Sequence, residues 1–314
     1  MHPAAAVICG LGAALPEKVV SNADLCAGLA TTPEWIHSRT GISQRHISEP
    51  GTSTKDLAVR AAAQALARSG PVQALVLATM TPDRFCPATA TTVASRLGLS
   101  EVLAFDLMAG CTGFVYGLAT AAGFIATGTA ESVLVIGADR LSTLPAPEDP
   151  KTVPLFGDGA GAVVLRRGQT WESGAIGPVV LGSDGNGAEL LCAERPGALR
   201  MQGPELFRRA VNRMSAVSVQ AVTAAGWHLG DIDRLVPHQA NARITSFVAR
   251  QLSIPEDRQL HNVGTVGNTG AASIPLLLAQ AAADGRLKAG HRLVLTAFGA
   301  GLTWGATTTT WPDL

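Results

Sequence analysis

The sequence predicts an α/β fold with helix-covered sheets, built from two related halves. Short β-rich runs alternate with Ala-rich helical stretches, which is the pattern of such a fold. Of the 314 residues, 47% are hydrophobic and only 15% charged, enough for a large core and too apolar for a solvated coil. The frame Gly-X-Thr-Gly also occurs twice, as "GCTG" around Cys111 and as "GNTG" around Asn268, each time opening an apolar stretch.

Taken in order, "AVICGLGAAL" reads as a strand and turn, and "STKDLAVRAAAQALARSG" as an amphipathic helix closed by Gly70. "ALVLATM" is a buried strand, "ATATTVASRLG" a helix, and "VLAFDLMAG" a strand that ends at the cysteine turn. An uncharged helix follows. "SVLVIGADRL" and "GAGAVVLRR" are strands separated by the Pro-rich "STLPAPEDPKTVPLFGDG", and a break falls near "RRGQTWESGAIG". Beyond it come a long helix, "PELFRRAVNRMSAVSVQAVTAAG", a strand with a polar end, "RLVPHQAN", and a helix, "ARITSFVARQL". "GNTGAASIPLLLAQAAADG" is a last helix, and "RLVLTAFGAGLTWGATTTTW" two strands around a glycine turn.

The repeat extends past four residues. After "GCTG" come an apolar helix, the strand "SVLVIGAD" and then "FGDGAGAVVL"; after "GNTG" come an apolar helix, the strand "RLVLTA" and then "FGAGLTWGATTTT". Four successive elements in one order divide the chain into halves, residues 1–170 and 171–314. Packed about a pseudo-twofold axis, such copies bring Cys111 and Asn268 together as symmetry mates.

Basic and acidic residues both number 24, so no global charge points to nucleic acid or an anionic membrane. The five cysteines are scattered and include no C-x-x-C pair, which argues against a disulfide framework or a metal site and for a reducing compartment. The N-terminus lacks a basic n-region and meets Pro16 too early for a signal peptide. The run from Leu107 to Ala130 is uncharged, but its glycines and threonines suit a helix buried in protein better than a membrane span. The cytoplasm is the expected compartment.

Cys111 lies where a strand ends and a helix begins. A helix N-terminus favours the thiolate, and the amides freed there can face a developing oxyanion. The alternative is a buried cysteine acting as a small apolar residue, as read for Cys9, Cys26 and Cys192. His238 ends an apolar strand, a place where histidines are often merely capped or solvated. Asn268, in the turn that copies the cysteine turn, gives it a second meaning: two N–H donors on one point suit an enolate or thioester oxygen. The other six histidines, His2 among them, sit in polar or loop contexts and are unassigned. "GLGAAL" imitates a dinucleotide turn, but Leu15-Pro16 stands where a helix should start. "FGDGAGAVVL" lacks the Gly-Lys-Ser/Thr of a phosphate loop.

"AGCTGF", "FGDGAGAVVL", "VPHQAN", "GNTGAAS" and "FGAGLTWG", in this order, resemble the β-ketoacyl-acyl-carrier-protein synthase III family of the thiolase superfamily. The resemblance covers nearly the whole chain, from "LPEKVVSNADL" and "EWIHSRTGISQRHI" onward. It implies a thiolase-like five-layered α-β-α-β-α core of two pseudo-duplicated halves, normally a homodimer. It implies Cys111 as acyl-accepting nucleophile with His238 and Asn268 as partners, and the backbone N–H of Cys111 and Ala300 as oxyanion hole. Trp35 and Arg39 match residues that sandwich the coenzyme A adenine, and Asn241 lies by its pantetheine arm. Arg208, Arg243 and Arg250 match residues that dock the acyl carrier protein, although alone they read as a solvated helix face.

Pro150 and Lys151 replace an expected adenine-side arginine, and Pro204 a polar pantetheine contact. Cys86 holds a position that often bounds the acyl pocket across the dimer with a bulkier residue, and its small size would admit a primer larger than acetyl. The implied activity is a decarboxylative Claisen condensation of an acyl thioester with malonyl-acyl carrier protein. It starts fatty acid or polyketide synthesis with no resident cofactor, coenzyme A thioester being the substrate. The alternatives are a same-fold acyltransferase that passes the acyl group to a carrier, hydroxyl or amine without decarboxylation, a cysteine hydrolase, and a silent scaffold subunit.

Overall fold

Helix caps and alternating burial set the elements of the chain, and a computed structural model describes them for residues 4–194 and 197–314, so that His2 lies outside the described residues. The order begins β1 (Ala4–Ala14), β2 (Val19–Ser21), α1 (Asn22–Cys26), α2 (Pro33–Thr40), β3 (Gln44–His46), α3 (Thr54–Leu66). It continues β4 (Ala74–Ala78), α4 (Thr89–Arg96), β5 (Leu103–Leu107), α5 (Gly113–Thr127), β6 (Ser132–Arg140), β7 (Asp158–Gln169). Then come β8 (Val180–Ser183), β9 (Leu191–Cys192), β10 (Arg200–Met201), α6 (Gly203–Ala224), β11 (Arg234–Pro237), α7 (Ala242–Gln251). The chain ends α8 (Val263–Val266), α9 (Ser273–Ala283), β12 (Arg292–Gly299), β13 (Thr303–Thr310).

One sheet has the order β1-β7-β6-β4-β5 and another β11-β12-β13-β8. In the first, β1–β7 and β7–β6 are antiparallel and β6–β4 and β4–β5 parallel. In the second, β8–β13 and β13–β12 are antiparallel and β12–β11 parallel. The two sheets therefore share strand order and direction, as two related halves should. The place of β5 is taken in the second sheet by a single parallel bridge, Leu235 to Gln259.

Successive residues of β6 face opposite sides. Val133 and Val135 join the cluster between the sheets, which holds Phe114 and Leu118 of α5, Ile274 and Leu277 of α9, and Leu293 and Leu295 of β12. Leu134 and Ile136 face outward to Leu57 and Ala61 of α3 and Val93 of α4. On the far side, α6 and α7 cover the second sheet through Met214, Val222 and Val248 against Leu235 and Val294. This gives the five layers α-β-α-β-α. The inner helices are sandwiched between sheets, and a charge there would be desolvated without a partner. That explains the uncharged run, whose segment Gly110–Thr127 is long and apolar enough to cross a membrane and here contains α5.

Some elements differ from expectation. The helix expected to end at Gly70 stops at Leu66, and α9 is preceded by a 3₁₀ turn, Gly270–Ala272. Periodicity assigned nothing between residues 19 and 46, where the elements are too short to show any. Their signals are local: Ser21 and Asp24 form a capping box on α1, and Thr32 caps α2 with Pro33 at its start and left-handed Gly41 at its end.

Candidate functional site

The two repeated turns have the same backbone device. Gly110 and Gly267, the first residue of each frame, adopt φ of 56° and 73°, a region that a side chain disfavours. Gly110 also packs on the β12–β13 turn: a Cβ there would lie 2.7 Å from Ala300 N, and one on Gly299 would lie 2.5 Å from Cys111 N. Thr303 Oγ1 donates to Ala109 O at 2.9 Å and ties the two turns together. The main-chain amides of Cys111 and Ala300 are thus brought close because glycines leave room on both sides.

Cys111 is buried, two residues ahead of α5. Burial pushes its thiol up to about 12, the buried Asp139 carboxylate adds to this, and the residue's own N–H opposes it. The helix start was expected to favour the thiolate; desolvation of the charged form outweighs that, and the thiol rests protonated.

His238 follows the last paired residue of β11 and extends the ladder, its N–H donating to Thr296 O at 2.8 Å. Thr79 is the residue that follows β4, the matching strand of the first sheet, although its N–H donates to Leu107 O of β5 at 3.2 Å. His238 is 2% exposed, and neither ring nitrogen has a partner among the described residues. Burial pushes it down to about 4, so the ring is neutral at neutral pH. Gln239 sets its angle: its N–H donates to Ser273 Oγ at 2.6 Å, and its Oε1 accepts from Asn262 N–H at 3.0 Å.

Asn268 is held through its main chain, its N–H donating to Leu155 O at 2.8 Å and its carbonyl accepting from Gly157 N–H at 2.9 Å. Its Oδ1 accepts from Gly270 N–H at 3.0 Å, which leaves the Nδ2 donor for the cavity. The Pro-rich segment thus supplies the strap, Leu155 to Gly157, on which the asparagine turn rests.

Cys111, His238, Asn268 and Ala300 line one cavity of about 1000 Å³. Asn241 lines it too, caps α7 by accepting from Arg243 N–H at 2.8 Å, and donates from Nδ2 to Arg39 O at 3.1 Å. Arg39 and the half-exposed Trp35 lie on α2 and are absent from the lining. Arg243 stands over the Phe207 ring and Arg250 over Phe247, while Arg208 is paired with Glu205 at 2.7 Å. Cys86 is exposed and absent from the lining, which takes Arg84 and Phe85 from the same loop. Pro204 opens α6, which accounts for a proline there.

Two residues of the site escaped the sequence reading. Asp139 is fully buried at the end of β6, and Gln239 was noted only as part of a polar strand end. The available signal was a charged or amide group closing an otherwise apolar strand.

A doubled five-layered α/β core with a cysteine at the junction of its halves defines the thiolase class. Profiles of the 3-oxoacyl-[acyl-carrier-protein] synthase III family match residues 105–185, and of its C-terminal region residues 222–311. β-Ketoacyl-[acyl-carrier-protein] synthase III 3 of Streptomyces coelicolor is 51% identical over 327 residues, covering 98% of each chain. The synthase III of Pseudomonas aeruginosa is 50% identical over 325 residues, covering 99% of this chain and 98% of its own. A crystal structure of the Pseudomonas aeruginosa 3-oxoacyl-(acyl carrier protein) synthase III superposes with a TM-score of 0.96, 51% identity and 99% coverage of both chains. A priming β-ketosynthase from a polyketide pathway superposes at 0.94 with 32% identity, covering 99% of this chain and 98% of its own. The chain belongs to the β-ketoacyl-acyl-carrier-protein synthase III family and is an acyltransferase of that type.

Proposed function

We propose that Cys111, from residues 1–170, and His238 and Asn268, from residues 171–314, carry out a two-stage decarboxylative condensation. The observation that supports this is the lining of one cavity by a thiol, a neutral imidazole and an oriented amide donor. In the first stage Cys111 sulfur attacks an acyl thioester. The protonated resting thiol needs an acceptor, and the unprotonated ring nitrogen of His238 is free for it. The proton then passes to the departing coenzyme A thiol. The amides of Cys111 and Ala300 hold the tetrahedral oxyanion, and an acyl-enzyme remains. In the second stage a malonyl thioester loses carbon dioxide. His238 and Asn268 donate to its thioester oxygen as enolate charge develops; the carbanion attacks the acyl carbon, the bond to sulfur breaks, and the Cys111 thiolate takes up a proton from solvent to restore the resting thiol.

Acyl-coenzyme A is the primer donor in this reading, with Trp35 and Arg39 by the adenine and Asn241 by the pantetheine arm. Acyl carrier protein docks across Arg208, Arg243 and Arg250, around the edge-to-face pair Phe207–Phe247 with centroids 5.4 Å apart. A homodimer in the cytoplasm completes the assignment. A non-decarboxylating acyltransferase needs a base for its acceptor, and Asn268 cannot be one. The test is incubation with an acyl thioester and carboxyl-labelled malonyl carrier protein. Release of labelled carbon dioxide that requires Cys111 is expected; acyl transfer without release would establish the other reaction.

A further inference from the structure

The methionines gather in one place, although Met214 also packs in the core under α6 and Met108 is exposed. Of five in the chain, the four after the initiator, Met80, Met108, Met201 and Met214, all line the cavity that holds Cys111. They come from separate segments: the loop after β4, the turn before Cys111, β10 and α6. Met80 reaches the asparagine turn, its Cε 3.0 Å from where a Cβ on Gly270 would sit. The inner clusters are instead made of Val, Leu, Ile, Ala, Phe and one Trp, which are stiffer. An unbranched thioether with several rotatable bonds makes a wall that adapts to its occupant.

The charges on the lining do not oppose an apolar guest. Arg84 and Glu194 are exposed, and the Asp106 carboxylate is engaged by the N–H groups of Thr89 and Ala90 at 2.7 Å each. Size points the same way. A cavity of about 1000 Å³ holds roughly thirty groups the size of a water, and a pantetheine arm fills about half of that. An acetyl group would leave most of the remainder unoccupied.

We infer that the acyl group delivered to Cys111 is an aliphatic chain of medium length, about six to ten carbons, lying along this methionine wall. The inference rests on the thioester reading of Cys111 given above. Each methylene buried there should raise the preference about fourfold until the end of the wall. The test offers the full-length protein equal concentrations of acetyl-, hexanoyl-, octanoyl- and decanoyl-coenzyme A and weighs the intact protein, with Cys111→Ala as the control for site. An octanoyl adduct at least about tenfold over acetyl is expected. Met201→Trp, which shortens the room available, should lower that ratio by about tenfold. An acetyl adduct equal to or above octanoyl overturns the chain-length inference and leaves the thioester reading standing, as does a ratio that Met201→Trp leaves unchanged. No adduct from any of the four overturns both.

Discussion

Asp139 and Ala271, 132 residues apart in the chain, are joined by a 2.8 Å hydrogen bond from the Ala271 N–H to the carboxylate. The other carboxylate oxygen accepts from Met80 N–H at 2.7 Å and from the Thr79 and Thr81 hydroxyls. One buried side chain therefore fixes the end of the first sheet to the turn that carries Asn268. It faces no cation among the described ion pairs, and its charge is one reason the Cys111 thiol stays protonated. Asp139→Asn keeps the volume, removes the charge, and turns an NH₂ toward groups that donate. Alkylation of Cys111 should then reach half-maximal rate at lower pH. Labelled carbon dioxide release should fall by about tenfold or more, since a buried donor left unsatisfied costs about 1–3 kcal/mol. Alkylation against pH and decarboxylation, measured on one preparation, check both; a thiol profile that does not move denies the electrostatic link.

Acid stability depends on the same residue and on His238, with opposite signs. The imidazole is depressed to about 4, so its contribution is present above the unfolded value near 6.5 and lost as pH falls toward 4. Burial raises Asp139 to about 6, so its contribution is present below the unfolded value near 4 and lost as pH rises through 6. Each amounts to about 3 kcal/mol at one pKa unit per 1.4 kcal/mol, and across pH 4 to 6.5 they offset. His238→Gln should therefore gain stability on acidification relative to the parent, and Asp139→Asn should lose it. Urea unfolding at several pH values in that window reads both slopes. Parallel curves for all three proteins would deny the coupling.

The repeated turns were legible in the sequence because a glycine forced to positive φ keeps its position in both copies, at Gly110 and Gly267. The kinship of the two halves followed from the same repeat, and the inner helices from their lack of charge. The Asp139–Ala271 and Gln239–Ser273 bonds were not legible, because each partner is chosen by where two distant segments meet. The sign of the Cys111 shift was misread for a related reason. The helix start is visible locally, whereas burial by β12–β13 and the asparagine turn is a property of the whole fold.

The contact between Gly110 and Ala300 yields a stability prediction. Gly110→Ala adds a methyl group 2.7 Å from Ala300 N at φ of 56°, and Gly299→Ala adds one 2.5 Å from Cys111 N. Both force the two turns apart, and Gly110→Ala adds backbone strain of about 1–2 kcal/mol. Each should lower Tm by several degrees and abolish self-acylation, whereas Gly285→Ala, a positive-φ glycine with open space, should lower Tm while acylation persists. Differential scanning calorimetry and adduct mass on the three variants separate strain from loss of the site.

Asn268 offers the sharpest separation of the two stages. Its Nδ2 is positioned because Gly270 N–H holds Oδ1 at 3.0 Å, and the main chain is clamped by Leu155 and Gly157, so removing the amide need not move the turn. In the proposed reaction, Asn268→Ala deletes one of two donors to the developing enolate and none of the groups used in acyl transfer to sulfur. Carbon dioxide release should fall by about 10²–10³, the loss typical for one oxyanion donor, while the first-stage adduct forms at near the parental rate. His238→Ala removes both a donor and the proton acceptor and should slow both stages. Single-turnover acylation followed by mass, set beside labelled decarboxylation, reads the two stages separately. Equal losses in both for Asn268→Ala would mean that the amide serves the thiol rather than the enolate.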